Sequence, residues 1–353
     1  MVVRVVVAVL AFAALMGGGA AHARADAVDE LTLEQQVGQL LVLSFPGTSP
    51  PQDVREALRE RRVAGVILFG GNITGPSQLR ELTRVLRAQG GRPIVAVDQE
   101  GGHIRRLPWA PPARTAREQA AAGSVRADAT AAARALRAAG VTVAFAPVSD
   151  VPSIPGSALA RRAFSRDPSA VSVAVSAAVR GWRAGGVAAT AKHFPGLGAA
   201  PANTDRAIVT IGRSRAVLDA VDLPPFAAAI GAGVPLVMVG HARYPALDRF
   251  RIASQSRPII ERLLREELGF RGVVVTDAME ARASLVSGGV SRASERAVRA
   301  GADLLLLTGR DSYAPVFEHL LAVARRSPAF RELVRESAAR VLALKQRGAS
   351  PPR

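Results

Sequence analysis

Eight short apolar runs, separated by stretches of helical periodicity, constrain this chain more than any other feature of its sequence. They lie at residues 37–45, 65–70, 93–98, 141–147, 186–193, 236–241, 272–277 and 302–308. Near-continuous Val, Ile, Leu and Ala over such lengths is what strands covered on both faces look like. The intervening stretches 54–62, 76–88, 168–184, 215–232, 256–268 and 291–300 carry apolar residues at helical spacing. Alternation of strand and helix, with right-handed crossovers, gives either an open doubly wound sheet or a closed barrel. Eight units, and no Gly-x-Gly-x-x-Gly turn after the first strand, predict an α/β fold: a (β/α)8 TIM-type barrel in a single domain.

Composition agrees with one domain. Of the 353 residues, 49% are hydrophobic and only 4% aromatic, so a core of Ala, Val and Leu is expected. No Pro-, Ser- or charge-rich run divides the middle of the chain. A formal net charge of +17 raises nucleic acid as a partner, but the arginines are scattered singly and in pairs rather than gathered in a stripe. No nucleic-acid partner is therefore expected, while a positive surface suits residence near an anionic cell wall. Lysine occurs only at Lys192 and Lys345, so a compact ammonium at position 192 stands out where arginine is the default cation. Cysteine is absent, which excludes a disulfide framework, a thiolate metal site and a lipid-anchor cysteine.

The first 25 residues read as a secretory signal peptide. Arg4 precedes an apolar run over 5–16, and Ala21, His22 and Ala23 form a small-x-small cleavage site. The run is too short to span a bilayer, so a secreted, extracellular or cell-wall-associated protein without stable membrane insertion is expected. The barrel domain then occupies 26–346, opening on a helical turn at 31–36 and closing on an amphipathic helix at 330–346. A disordered tail is expected over 347–353.

Polar groups sit at the carboxyl ends of five runs: Asp98, the segment ending in Asp150, Lys192 with His193, His241, and Asp277. In a barrel these ends converge on the face that carries the active site. The densest stretch is 186–205, where a strand delivers Lys192 and His193 to a loop holding Asn203, Thr204 and Asp205. Any one of these groups alone reads as a solvated strand end or a cap. Five separate strands ending so read as an enzyme site.

The motifs Val97-Asp98-Gln99-Glu100-Gly101-Gly102 with Arg105, Arg106 and Leu107, then Lys192-His193-Phe194-Pro195-Gly196, then Val275-Thr276-Asp277 resemble those of glycoside hydrolase family 3. More narrowly, they look like its single-domain bacterial β-N-acetylglucosaminidase (β-N-acetylhexosaminidase) branch. Ala146-Pro147-Val148 with Asp150, the segment 162–168 and the segment 237–241 match in the same order. The resemblance implies a retaining exo-glycosidase that needs no cofactor and acts on terminal β-linked N-acetylglucosamine in cell-wall or chitin-like oligosaccharides. It makes Asp277 the nucleophile, which suits a carboxylate fixed at a rigid strand end, although capping the next helix fits that position too. It assigns Asp98, Arg106, Arg162, Lys192 and His193 to sugar hydroxyls, a mixed set of donors and acceptors such as a pyranose requires. Glu100 is a supporting partner or a cap. His241 holds substrate or is a satisfied buried histidine.

The chain departs from the family pattern on the loop. Leu197 stands where a histidine is usual, and Asn203-Thr204-Asp205 replaces an Asp-Ser-His triplet whose histidine is the general acid/base. Asp205 is the remaining candidate for that role, given a raised pKa, and otherwise a turn residue. His103 and Ala278 also replace usual residues, which opens another β-glycoside, such as a glucoside, as substrate. A sugar-binding protein that has lost its acid is the alternative outside catalysis. His193 and His241 lie on separate strands without metal-ligand spacing, so no metal is expected. The partner is a carbohydrate and the protein a monomer.

Overall fold

In the computed structural model, which describes residues 27–347, the eight runs form eight parallel strands of a closed barrel. These are β1 (Leu41–Leu43), β2 (Gly65–Ile67), β3 (Ile94–Val97), β4 (Val143–Ala144), β5 (Ala188–Phe194), β6 (Leu236–Val239), β7 (Val273–Ala278) and β8 (Leu304–Leu307). Pairing of β1 with β8 in the register Leu41 to Leu305 and Leu43 to Leu307 closes the ring. The expected signal peptide lies outside the described residues, as do positions 348–353 of the expected tail. Arg347, assigned to that tail, instead closes the last helix, Pro328–Arg347. Among the described residues no helix is long and apolar enough to cross a membrane.

Period-two alternation sorts the strand side chains into two layers. Val42, Ala96, Met238, Val275 and Leu306 pack on one another inside the barrel. Val95, Val97, Val237, Val274 and Leu305 pack outward with Leu79, Leu136, Val175 and Val298 of the helices. Each such side chain, fully buried, contributes roughly 1.5–3 kcal/mol. At Gly65 a Cβ would run into the Ile94 carbonyl, so β2 and β3 can lie together only because that residue is glycine. Phe194 at the end of β5 meets Phe226 edge-on at 5.2 Å, which ties the strand to the helix Pro224–Gly231.

Helices follow their sequence signals closely where a proline opens the first turn. Pro76–Ala88 forms as expected, and Asp167 caps Pro168–Gly185 by accepting from the Ala170 amide at 2.7 Å. Two expectations change. Residues 37–38 belong to the helix Leu33–Gly38, because Thr32 and Gln35 form a capping box that draws the apolar run into helix. The expected helix 215–232 splits into Arg215–Val217, a wider-wound turn Leu218–Asp222, and Pro224–Gly231; Pro224 and Pro225 lack the N–H groups a continuous helix needs. Two hairpins, Gln99–Gly101 with Ile104–Arg105 and Arg243–Tyr244 with Asp248–Ile252, and the helices Val125–Ala138 and Tyr313–Arg326 appear besides.

At the amino-terminal end of β8, Asp303 is fully buried and joins several elements. It accepts from Arg265 at 2.7 Å, from Arg340 at 2.7 Å and from the Val274 amide at 2.8 Å. The last helix is thereby locked to the barrel at the end opposite the strand tips.

Candidate active site

The carboxyl ends of the strands surround a hollow of about 460 Å³, within the size range of small-molecule sites. Asp98, Arg106, Arg162, Lys192, His193, Asp205 and Asp277 all line it. Of the residues expected to hold substrate, His241 alone does not. It is fully buried, and its Nε2–H donates to the Ala278 carbonyl at 2.9 Å while Nδ1 accepts from the Ser254 hydroxyl at 2.7 Å. Of the two readings the sequence left open, this placement is that of a satisfied buried histidine, a strut behind the end of β7. Strand-end position alone cannot tell which way a side chain turns.

Lys192 is nearly buried at the end of β5, a costly place for an ammonium unless it is paired. Its Nζ donates to Asp98 Oδ1 at 2.8 Å and lies 2.7 Å from Glu100 Oε1. Burial pulls the ammonium pKa down, but Asp98 and then Glu100 more than offset this and hold it above its ordinary value. Glu100 also takes both arms of Arg162, at 2.6 and 2.9 Å, in a bidentate pair. Burial pushes the Glu100 carboxyl up, yet Lys192 and Arg162 outweigh it and bring the pKa to about 2. Asp98 accepts from Arg106 at 3.2 Å, and the Arg106 guanidinium lies 5.7 Å over the Phe69 ring. The result is a fixed ring of alternating charges around the floor of the hollow.

His193 is oriented from behind. Its Nδ1–H donates to Asp150 Oδ2 at 2.7 Å, and Asp150, wholly buried, also accepts from the Leu197 amide at 2.6 Å. That partner assigns the proton to Nδ1 and leaves Nε2 toward the hollow, 3.5 Å from Arg162 Nη2. Gly198 makes this closeness possible, since a Cβ there would strike the Val151 backbone.

Asp277 stands near the end of β7 with Oδ1 accepting from the Ala278 amide at 2.8 Å. Burial raises its carboxyl pKa, but His193, then His241, the Ala278 amide and Lys192 together hold it below the usual carboxylate range. It is an anion aimed into a polar cavity. Asp205 is exposed on the β5 loop and accepts from the Asn203 amide at 2.9 Å, while its own backbone N–H donates to Asn203 Oδ1. The loop is docked on the segment after β7: the carbonyls of Thr204 and Asp205 accept from the amides of Ala283 and Arg282, at 3.4 and 3.1 Å.

Of three further groups in this site, the sequence placed Asp150 at a strand end and Glu100 as a supporting partner or a cap without naming what either holds, and did not single out Glu280. Asp150 and Glu100 lie in the right motifs, but their partners are 43 and 62 residues away. Glu280 lines the hollow with one oxygen fixed by the Thr308 amide and hydroxyl at 2.8 and 2.9 Å. Its position three residues past Asp277 was the available signal.

Comparison with known proteins decides the family. Residues 32–344 match the model of the glycosyl hydrolase family 3 N terminal domain. The chain belongs to glycosyl hydrolase family 3. As a family 3 glycoside hydrolase it is 37% identical over 299 residues to a β-hexosaminidase of Xanthomonas axonopodis pv. citri (strain 306), covering 82% of this chain and 88% of that one. Among solved structures it resembles a family 3 β-N-acetylglucosaminidase from Paenibacillus sp. str. FPU-7, with TM-score 0.85 and 36% identity over 90% of this chain. It spans 63% of that longer protein. A β-N-acetylhexosaminidase from Beutenbergia cavernae DSM 12333 aligns with TM-score 0.83 and 34% identity, over 90% of this chain and 99% of its own. The fold and hydrolase class expected from the family 3 motifs are thus borne out.

Proposed function

We propose that this glycoside hydrolase is a retaining exo-enzyme that releases terminal β-linked N-acetylglucosamine from cell-wall or chitin-like oligosaccharides. The observation that carries the reading is the convergence of an ionised Asp277 with Asp98, Lys192, His193 and Asp205 on one sugar-sized hollow. The names of its relatives support the sugar. Domain boundaries of 26–346, and secretion directed by residues 1–25, belong to the same reading and rest on the sequence.

The chemistry follows from the groups present. The Asp277 carboxylate attacks the anomeric carbon as the bond to the leaving oxygen breaks, and that oxygen takes the proton of Asp205. Water then attacks the glycosyl ester, giving its proton to the Asp205 carboxylate, and Asp277 leaves as an anion. Lys192, Asp98, Arg106, Arg162 and His193 fix the sugar hydroxyls. Their mutual bonds hold them in place before substrate arrives, so little reorganisation accompanies the reaction.

A second reading has an observation of its own. Asp205 is exposed and its loop has no histidine, which suits a sugar-binding protein without an acid. Aryl N-acetylglucosaminides with good and poor leaving groups separate the two. An enzyme turns over the activated one through a glycosyl-enzyme detectable by mass on Asp277; a binder releases no phenol from either. Turnover of aryl glucosides instead would redirect the substrate assignment.

A further inference from the structure

At the end of the barrel opposite the hollow, the turns 59–64, 87–93, 137–142 and 183–187 lead into β2, β3, β4 and β5. They carry six exposed arginines: Arg59, Arg61, Arg87, Arg92, Arg137 and Arg183. The four strands are consecutive neighbours, with Gly65 paired to Ile94, Ala96 to Val143, and Val143 to Ala188. Their incoming turns therefore lie side by side, at about 4.8 Å per strand. An arginine from each turn leans on the next one. Arg59 Nη2 donates to Gln89 Oε1 at 3.3 Å, and Arg183 Nη1 donates to the Ala232 carbonyl at 3.4 Å. Between them, a Cβ on Gly140 would lie 3.0 Å from Arg87 Nη2, and one on Gly186 would lie 2.6 Å from Arg137 Nη1. The guanidinium groups thus form a continuous belt.

Charge on this belt is one-sided. The four turns hold a single carboxylate, Glu60, and it pairs with Arg62. Glu34, on the helix that meets this end through Gln35 and the Glu60 carbonyl, pairs with Arg325. Among the described residues none of the six arginines makes an ion pair. Lys345 adds a further amine, donating to Gln39 Oε1 at 2.7 Å and lying 3.5 Å from the Gly91 carbonyl. Burial and then the Arg61 guanidinium bring its pKa down to about 7.

The backbone gives an independent sign. Arg61 and Arg92, with φ of 58° and 49°, are the only described residues other than glycine at positive φ. Elsewhere the barrel helices hand over through Gly140, Gly186, Gly233, Gly269 and Gly301, all at positive φ. Arginine thus occupies a left-handed position that glycine would relax, and strain kept in this way points to a use for the charge. Guanidinium forks match phosphate oxygens. The four turns have no aromatic side chain on which a base could stack, and they expose no large apolar side chain to enter a bilayer core. A plane of headgroup phosphates meets such an array without either. We infer that this end of the barrel docks on an anionic phospholipid surface, leaving the hollow at the other end uncovered.

Vesicle sedimentation of the full chain at about 50 mM salt tests this. Vesicles of phosphatidylglycerol and phosphatidylcholine are compared with phosphatidylcholine alone, which reports any binding by the apolar run at 5–16 that all variants share. The wild type should partition onto the anionic vesicles at least about 100-fold more strongly, and about 0.5 M salt should erase the difference. Arg61→Gly with Arg92→Gly should lower anionic partition about 30-fold, as expected for two surface cations. Because glycine suits these φ values, the melting temperature of that pair should be unchanged or higher. Arg249→Gln with Arg251→Gln removes the same charge from the hairpin after β6 and should leave partition within about threefold of wild type. Equal losses in the two pairs, or no preference of the wild type for anionic vesicles, overturn the inference. Duplex DNA binding that is lost in the Gly pair, without vesicle binding, would give the surface to nucleic acid and overturn the lipid assignment.

Discussion

The Nδ1–H of His193 is held by the buried carboxylate of Asp150 at 2.7 Å. Asp150 also receives the Leu197 amide, so one group sets both the imidazole and the start of the loop that leads to Asp205. Replacing it as Asp150→Asn removes a charged acceptor from three donors, the His193 backbone amide at 3.2 Å being the third. With roughly 1.5–3 kcal/mol for a hydrogen bond to a charged group, kcat/KM should fall about 10- to 100-fold. Steady-state kinetics on an aryl N-acetylglucosaminide, with circular dichroism to confirm folding, reads this.

Asp277→Ala should lower turnover on the order of a thousandfold or more, as expected for loss of a nucleophile. Azide should restore part of the rate with an activated aryl glycoside and yield the α-glycosyl azide, because a small anion attacks from the vacated side. Retention of wild-type rates would remove Asp277 from the mechanism.

Asp205→Ala should discriminate by leaving group. Nitrophenyl glycosides need little protonation and should lose only about tenfold, whereas oligosaccharides should lose about 100-fold or more. If both classes fall equally, or poor leaving groups are unaffected, Asp205 is not the acid.

How much of this could be read beforehand differs between fold and site. The barrel was legible because strands buried on both faces write continuous apolar runs, and the groups at the tips of β3, β5 and β7, Asp98, Lys192, His193 and Asp277, stand within a residue or two of those runs. The pairing of Glu100 with Arg162 was not, since 62 residues separate partners that only the closed ring brings together. His241 was half legible: its strand-end place was right, but Ser254 and the Ala278 carbonyl claim both its nitrogens. The split at Pro224 was written in the sequence, and helical periodicity outvoted it.

Acid should expose the charge ring. Glu100 ordinarily titrates at 4.5 but at about 2 in the fold, so below pH 4.5 the unfolded chain takes a proton that the folded one refuses. Its contribution is fully present above 4.5 and is lost as pH falls toward 2. Denaturant midpoints measured from about pH 6 to about pH 3 should therefore fall for the wild type. Glu100→Gln should be less stable at neutral pH, with Arg162 deprived of its ion-pair partner and Lys192 left to Asp98 alone, and should show a shallower acid decline.

Asp303→Ala tests the far end of the barrel. Removing the carboxylate leaves the buried Arg265 with Glu261 alone and Arg340 with Glu336 alone, a change of up to about 3–5 kcal/mol. Urea unfolding should report it. An aryl-glycoside assay on the folded fraction should be near wild type, because the strand tips are untouched.

The two amides of Arg282 and Ala283 that grip the β5 loop fasten the proposed proton donor to the peptide that continues from the nucleophile's own strand. The loop cannot swing aside while those amides stay engaged. Under the proposed chemistry, acid and nucleophile are therefore carried by one hydrogen-bonded unit, and breaking two backbone bonds is enough to part them.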